Sequence, residues 1–147
     1  MGTTDIDSLV TDFYQSVSFK LGEDSDFTYT SSLFTSNAIL VNNSYGKPII
    51  FNPVSFVKAL VEQVTVGNLT QFVQRELYSK TEVFGKIAQR SSVYEYTFED
   101  PSKGKLSTGV NYIQCILDDD KWLISSMAWS DESEESPIPH EYHIKRK

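Results

Sequence analysis

Two spacings of hydrophobic residues divide this chain. In its first part Ile6, Leu9, Val10, Phe13 and Val17 recur at three- and four-residue steps, the spacing that lines one face of an α-helix. A helix is therefore predicted from Thr4 to Leu21, with Thr4 as its cap and Gly22 as its stop. Val57, Leu60, Val61 and Val64 repeat the pattern in a second helix, which Asn52 caps, Pro53 starts and Gly67 ends. Between the two, Glu23–Asp26 reads as a solvated acidic turn, Tyr29–Phe34 as a short helix, Ala38–Val41 as a strand and Asn42–Pro48 as a turn. From Leu69 to Trp129 the helical spacing disappears. Dense β-branched and aromatic residues predict long antiparallel strands, with Gly85 as a bulge or bend, Asp100–Gly104 as a turn and Asp118–Lys121 as a hairpin loop.

Helices first and strands afterwards predict a segregated α+β architecture, with helices on one face of a curved antiparallel sheet. Such a sheet closing over a helix leaves a cone-shaped hollow, the natural place for a ligand. The reading is one domain over residues 1–130, then a tail over residues 131–147. In that tail Asp131–Ser136 is a polar acidic linker, Pro137–Pro139 begins an extended segment, and the basic Ile144–Lys147 either docks on a partner subunit or frays.

The bulk composition narrows the functions. At 147 residues a single domain buries roughly 70% of its unfolded surface, enough for a core without staples. Thirteen Lys plus Arg against twenty Asp plus Glu leave a net charge of -7, which repels phosphate backbones and argues against nucleic acid as a partner. The single Cys115 cannot form an internal disulfide, and its apolar surroundings predict a buried, inert thiol. No stretch approaches the ~20 apolar residues of a membrane span, and the N-terminal residues lack a basic segment followed by an apolar one, so a cytoplasmic protein without membrane contact is expected. Glycosylation patterns at Asn42 and Asn68, and Met1-Gly2 without a neighbouring polybasic segment, are read as chance.

Among candidate chemical groups, Glu95 stands first because it lies between Tyr94 and Tyr96. Facing the hollow, its carboxylate would lose water, its pKa would rise, and it could act as a general acid or base. Facing the other way, it pairs with Arg90 or Arg75 or meets solvent. Asn111 shares its strand parity with Ile113, Cys115 and Leu117 and is expected to point inward, as a structural amide or a ligand contact. Glu76 and Arg75 are secondary candidates for the hollow, against exposed ladder charges. Tyr14, Phe34, Phe56 and Trp129 form either an aromatic wall for a flat ligand or ordinary core packing. Asp118–Asp120 sits at a hairpin tip, where consecutive carboxylates cannot converge on a cation. His140 and His143 follow two prolines and lack a clear third ligand, so no metal is predicted. A Gly-rich phosphate loop, a Ser nucleophile elbow and a Cys–His pair are all absent from the sequence, and no cofactor is expected.

The ordered pattern Phe84-Gly85, Ile87-Ala88, Tyr94-Glu95, Gly109-x-Asn111, Ile113-Gln114, Trp122-x-Ile124 and Trp129, behind the helix around Phe13 and Tyr14, resembles the nuclear-transport-factor-2-like superfamily. Within that SnoaL-like and ketosteroid-isomerase-like group the likeness is to a bacterial branch without an assigned reaction. It implies the cystatin-like cone and leaves function open, because one fold hosts many chemistries. Tyr14 stands where the steroid isomerase has a first-helix Tyr, but Asn42 occupies the place of its basic Asp, and an amide cannot accept that proton. No carboxylate lies near Gly109–Asn111 either, which disfavours ketosteroid-type isomerisation. Relatives resembling polyketide cyclases or scytalone dehydratase rely on a His, and both histidines here lie beyond the last strand. Two functions are carried forward. The first is a small-molecule-binding domain with an apolar cone, with weak acid–base chemistry by Glu95, supported by Tyr14, and with Asn111 and Asn42 as ligand contacts. The second is a non-catalytic assembly module, in keeping with the homodimers of the superfamily, paired through an outer sheet face that carries Tyr78, Tyr112, Ile116 and Met127.

Overall fold

A computed structural model describes residues 5–23, 27–99 and 104–142. Outside these lie Thr4, residues 24–26 of the acidic turn, Asp100 to Lys103 of the turn ending at Gly104, His143, and the basic Ile144–Lys147. The described elements are α1 (Ile6–Ser16), a 3₁₀ turn (Thr30–Leu33), β1 (Phe34–Asn42), β2 (Ile49–Phe51), α2 (Pro53–Thr65), β3 (Val73–Phe84), β4 (Ile87–Thr97), β5 (Ser107–Asp118) and β6 (Lys121–Asp131).

Helix α1 buries Ile6, Leu9, Val10, Phe13 and Tyr14, as its spacing predicts. Its cap is Asp5, whose carboxylate accepts the Ser8 N–H at 2.7 Å. The helix ends at Ser16, five residues before the predicted end. There Ser16 Oγ donates to the Phe13 carbonyl and Ser18 Oγ to the Tyr14 carbonyl, each at 2.7 Å, and these side chains satisfy the last-turn acceptors in place of further helix. Phe19 then bridges to Phe72, and Gly22, at φ +88°, serves a later turn. In α2 the Asn52 cap and the Pro53 start stand where predicted, and Ser55 completes a capping box with Asn52. Its inward face is Pro53, Phe56 and half-buried Leu60, whereas Val61 is exposed.

The six strands form one curved, unclosed sheet in the order β2-β1-β6-β5-β4-β3. All neighbours are antiparallel except β1 and β6, which run parallel. The last strand in the chain is thereby placed beside the first. Strand β2 was not expected, since it is only three residues long and follows Pro48. Gly85 is not a bulge: at φ +57° it makes, with Lys86, the two-residue turn between Phe84 and Ile87. Asp119 and Asp120, at φ 51° and 69°, make the equivalent turn between Asp118 and Lys121, as predicted. The bulge of β3 lies at Leu77, between the pairs Glu76↔Tyr94 and Tyr78↔Val93. It moves Tyr78 to the face opposite Glu76, although the two share parity in the sequence.

Helix α1 lies in the concavity of the sheet, and its apolar face meets Leu40, Ile113, Ile124 and Met127 in one core cluster. Cys115 joins that core and burial pushes its thiol up to about 11. Met127, predicted for an outer dimer face, is 2% exposed and points inward opposite Ile113, so it cannot contribute to such a surface. Tyr142 packs against Tyr78 with ring centroids 5.7 Å apart, which lays part of the C-terminal segment on the convex face of the sheet.

Candidate functional site

The concavity is not filled by α1 and α2. Between α2 and the sheet remains a cavity of about 470 Å³. Phe56 and Leu60 of α2, Phe13 of α1, and Tyr94, Tyr96 and Trp129 of the sheet give it an aromatic and aliphatic wall. Phe56 is wedged between Phe13 (6.4 Å, stacked) and Trp129 (6.0 Å, edge-on), so helix and sheet fix each other's rings.

The polar part of the wall has two ends. At the open side the carboxylate of Asp131, the last residue of β6, gathers three phenols. Tyr94 donates to Oδ1 at 2.7 Å, Tyr45 donates to Oδ2 at 2.9 Å, and Tyr96 donates to Oδ2 as well. The strand order explains the gathering: Tyr94 pairs with Gly109 and Gly109 with Asp131, so the missing side chain at Gly109 lets the Tyr94 ring cross β5 and reach β6. Ser44 Oγ accepts the Asp131 N–H at 3.0 Å and ties the β1–β2 loop to the same place. Burial and the Asp131 bond raise the pKa of Tyr94 and Tyr96; for exposed Tyr45 the Asp131 bond is the larger cause. All three phenols stay neutral and keep their protons on the carboxylate.

The inner end is Asn111, 2% exposed and on the cavity wall. Behind it runs a polar chain that leads out to the exposed Asp7 of α1. Arg90 holds Glu76 through Nε (3.1 Å) and Nη2 (2.5 Å) and Asp7 of α1 through Nη1 (2.6 Å). Ser92 donates to Glu76 at 2.5 Å and lies 2.8 Å from the Tyr14 hydroxyl. Since the one Ser92 proton goes to the carboxylate, Tyr14 must donate to Ser92. The Tyr14 oxygen is then the acceptor for Asn111 Nδ2 at 3.5 Å, and Met127 Sδ lies 3.7 Å from the same nitrogen. That order of donors fixes the amide and leaves Asn111 Oδ1 without a hydrogen-bond partner. A buried carbonyl in this state costs about 1–3 kcal/mol unless something donates to it.

Of the residues singled out from the sequence, Asn111, Asn42, Phe56 and Trp129 line the cavity. Asn42 Oδ1 accepts the Ser44 N–H at 3.2 Å and shapes the loop that carries Tyr45. Tyr14 sits behind Asn111, with burial pushing its phenol up to about 12. Phe34 packs edge-on against Phe13 at 5.7 Å, away from the cavity, and Glu76 is engaged by Arg90 and Ser92. Glu95 is the main correction. Its neighbours Tyr94 and Tyr96 point into the cavity, so the pleat sends Glu95 to the opposite face, where its carboxylate meets Arg75 Nε at 2.6 Å. Asp131, read as linker, is the carboxylate that the cavity does contain; Tyr45 and Tyr96 were also missed. The available signal was Asn111: with that residue inward, the antiparallel pairing Ser92↔Asn111 puts Tyr94 and Tyr96 inward and Glu95 outward.

No family profile matches the sequence, and no curated protein does. Solved structures do match. An NTF2-like protein with a cystatin-like fold from Novosphingobium aromaticivorans aligns at TM-score 0.69 and 10% identity, over 88% of this chain and 82% of its own. This chain has the cystatin-like fold of the NTF2-like proteins. A protein of unknown function with that fold from Nostoc punctiforme aligns at TM-score 0.67 and 11% identity, over 86% and 88% of the two chains. An NTF2-like protein of unknown function from Pseudomonas putida covers 95% of this chain and 93% of its own, at TM-score 0.66 and 11% identity. At these identities the likeness is one of NTF2-like fold, and the site has to be read from its own residues. Among the described residues no helix is long and apolar enough to cross a membrane.

Proposed function

We propose that this chain binds a small, flat, largely apolar molecule in the hollow between α2 and the sheet. What carries the reading is the combination at one wall of an open aromatic cavity of about 470 Å³ with a 98%-buried amide whose Oδ1 has no partner. A volume of that order suits a single small ligand, and a buried carbonyl left without a partner on that wall calls for a donor. Acid–base catalysis by Glu95 is not part of the reading, because that carboxylate lies across the sheet. Tyr14 enters as a positioning residue, since its hydroxyl holds Asn111 from behind. Native mass spectrometry of the freshly purified protein tests the reading: a discrete extra mass, lost when Phe56 is replaced by Trp to fill the hollow, is expected. Protein without any adduct, and without binding from a library of small aromatic compounds, would overturn it.

The second reading, a homodimer paired through the convex sheet face, is favoured by one observation. Ile87, Ile116 and Leu123 are successive cross-strand neighbours on β4, β5 and β6. With exposed Phe84 and Tyr112 they form an apolar patch in place of the one drawn through Met127. The same mass spectrum reports subunit number, and a monomer at micromolar concentration would remove this reading.

A further inference from the structure

The ionisable groups on the cavity wall are all of one kind. Among the described residues that line it no Lys, Arg or His occurs; the titratable groups are Asp131 and the phenols Tyr45, Tyr94 and Tyr96. None of the ion pairs among the described residues involves Asp131, so its charge is met only by hydroxyl donors. A carboxylate offers about four lone-pair positions, and three are taken by the tyrosines. Each phenol spends its proton on Asp131 and turns a lone pair outward. The rings of Tyr94, Tyr96 and Trp129 line the same wall, and aromatic faces attract cations as well. At the inner end, the unpartnered Asn111 Oδ1 is another acceptor. The amides of Asn42, Gln63 and Gln74 carry donors and acceptors alike and do not change the sign.

We propose that the hollow is selective for organic cations: an amine whose ammonium sits against Asp131 and the surrounding tyrosines, and whose flat apolar body lies along Trp129 and Phe56. This assignment of ligand class rests on the reading of the hollow as a small-molecule site. The register adds a spacing. Asn111 stands opposite Trp129, and Asp131 is two residues further along β6 on the same face. The two residues are thus diagonal neighbours, with backbones roughly 7–8 Å apart.

Three probes of one shape and different charge test the proposal: naphthylethylamine, naphthylethanol and naphthylacetate, each titrated calorimetrically into the full chain at neutral pH. The amine is expected to bind about tenfold more tightly than the alcohol, as a partly desolvated cation near a carboxylate and aromatic faces should, with the acetate weakest. Equal affinity of amine and alcohol, or tightest binding of the acetate, overturns the cation selectivity and leaves the hollow a binding site. Binding of none of the three, with no retained adduct, overturns both. In Asp131→Asn the amine's advantage over the alcohol should vanish; an undiminished advantage sinks the role of Asp131. Tyr45→Phe removes one donor from Asp131 at an exposed position, so folding is not at stake. There the amine's advantage should grow, and a reduced advantage counts against the proposal.

Discussion

A methyl group at Gly109 would stand 2.3 Å from the Tyr94 hydroxyl oxygen, 2.5 Å from Tyr94 Cζ and 2.7 Å from the Ser130 carbonyl oxygen. General experience with strands points the other way. Gly109 is not in the left-handed region, and at such a position Gly→Ala restricts the unfolded chain and gains about 0.4–1 kcal/mol. The structure puts a larger cost against that gain. Contacts of this kind cannot be kept, and since the Ser130 oxygen belongs to the backbone, the Tyr94 ring must be displaced. Forcing a methyl into a packed site costs about 1–3 kcal/mol. Pulling Tyr94 off Asp131 forfeits a hydrogen bond to a charged group, about 1.5–3 kcal/mol more. The net expectation for Gly109→Ala is a loss of about 2–5 kcal/mol, a large share of the 5–15 kcal/mol typical of a domain. Urea unfolding followed by circular dichroism would read it as a lower midpoint with an unchanged slope. In a Tyr94→Leu background the same alanine should cost distinctly less, because the blocking ring is gone. A Gly109→Ala protein as stable as the wild type, or an equal cost in both backgrounds, refutes the account of Gly109 as the passage for Tyr94.

Two further outcomes follow from the geometry. Glu95→Gln should leave binding of the naphthyl probes unchanged within about twofold, since the side chain is across the sheet, while lowering stability by at most about 1 kcal/mol, because the Arg75 that loses its charged partner is exposed to water. A selective loss of probe affinity in that variant would restore Glu95 to the site. At high pH the sign is shared by the phenols Tyr14, Tyr94 and Tyr96, all raised, and Tyr14 is pushed by burial from the ordinary 10.0 up to about 12. A raised folded value means its contribution is whole below about pH 10 and is lost as pH climbs from 10 towards 12. Stability to urea should fall steeply in that window, and tyrosinate absorbance of the folded protein should lag behind that of the unfolded chain; coincident titrations would contradict the buried position of Tyr14.

The parts of this structure that were legible in the sequence are those governed by local rules. Asn52-Pro53 announces α2 because capping and proline geometry involve only adjacent residues, and Asp119-Asp120 announces a two-residue hairpin for the same reason. The inward position of Asn111 was legible because three apolar residues share its parity on an unbulged stretch. Glu95 and Glu76 were placed less well. Parity alone does not say which face of β4 meets the hollow, and the bulge at Leu77 reverses the phase of β3 part-way along. Asp131 was illegible for a stronger reason. Its neighbours Glu132 to Ser136 give it the composition of a linker, while its partners Tyr45, Tyr94 and Tyr96 are brought to it only by the order of the strands. The second helix shows a milder form of the same limit, since Phe56 displaced Val61 from the predicted inner stripe once the sheet offered Trp129 as a partner.

The parallel junction of β1 with β6 also dictates when the hollow can exist. Ser44 meets Asp131 across 87 residues of chain, and β1 has only the three-residue β2 on its other side. As the chain leaves a ribosome, α1, α2 and the first hairpin emerge long before their covering surface, and β1 waits with an open edge until the final strand arrives. Folding is then expected to be gated by a late, long-range closure, which is slow by its topology. A nascent chain halted before Trp122 would display two unpaired strand edges and an uncovered aromatic face, the form most in need of a chaperone's protection.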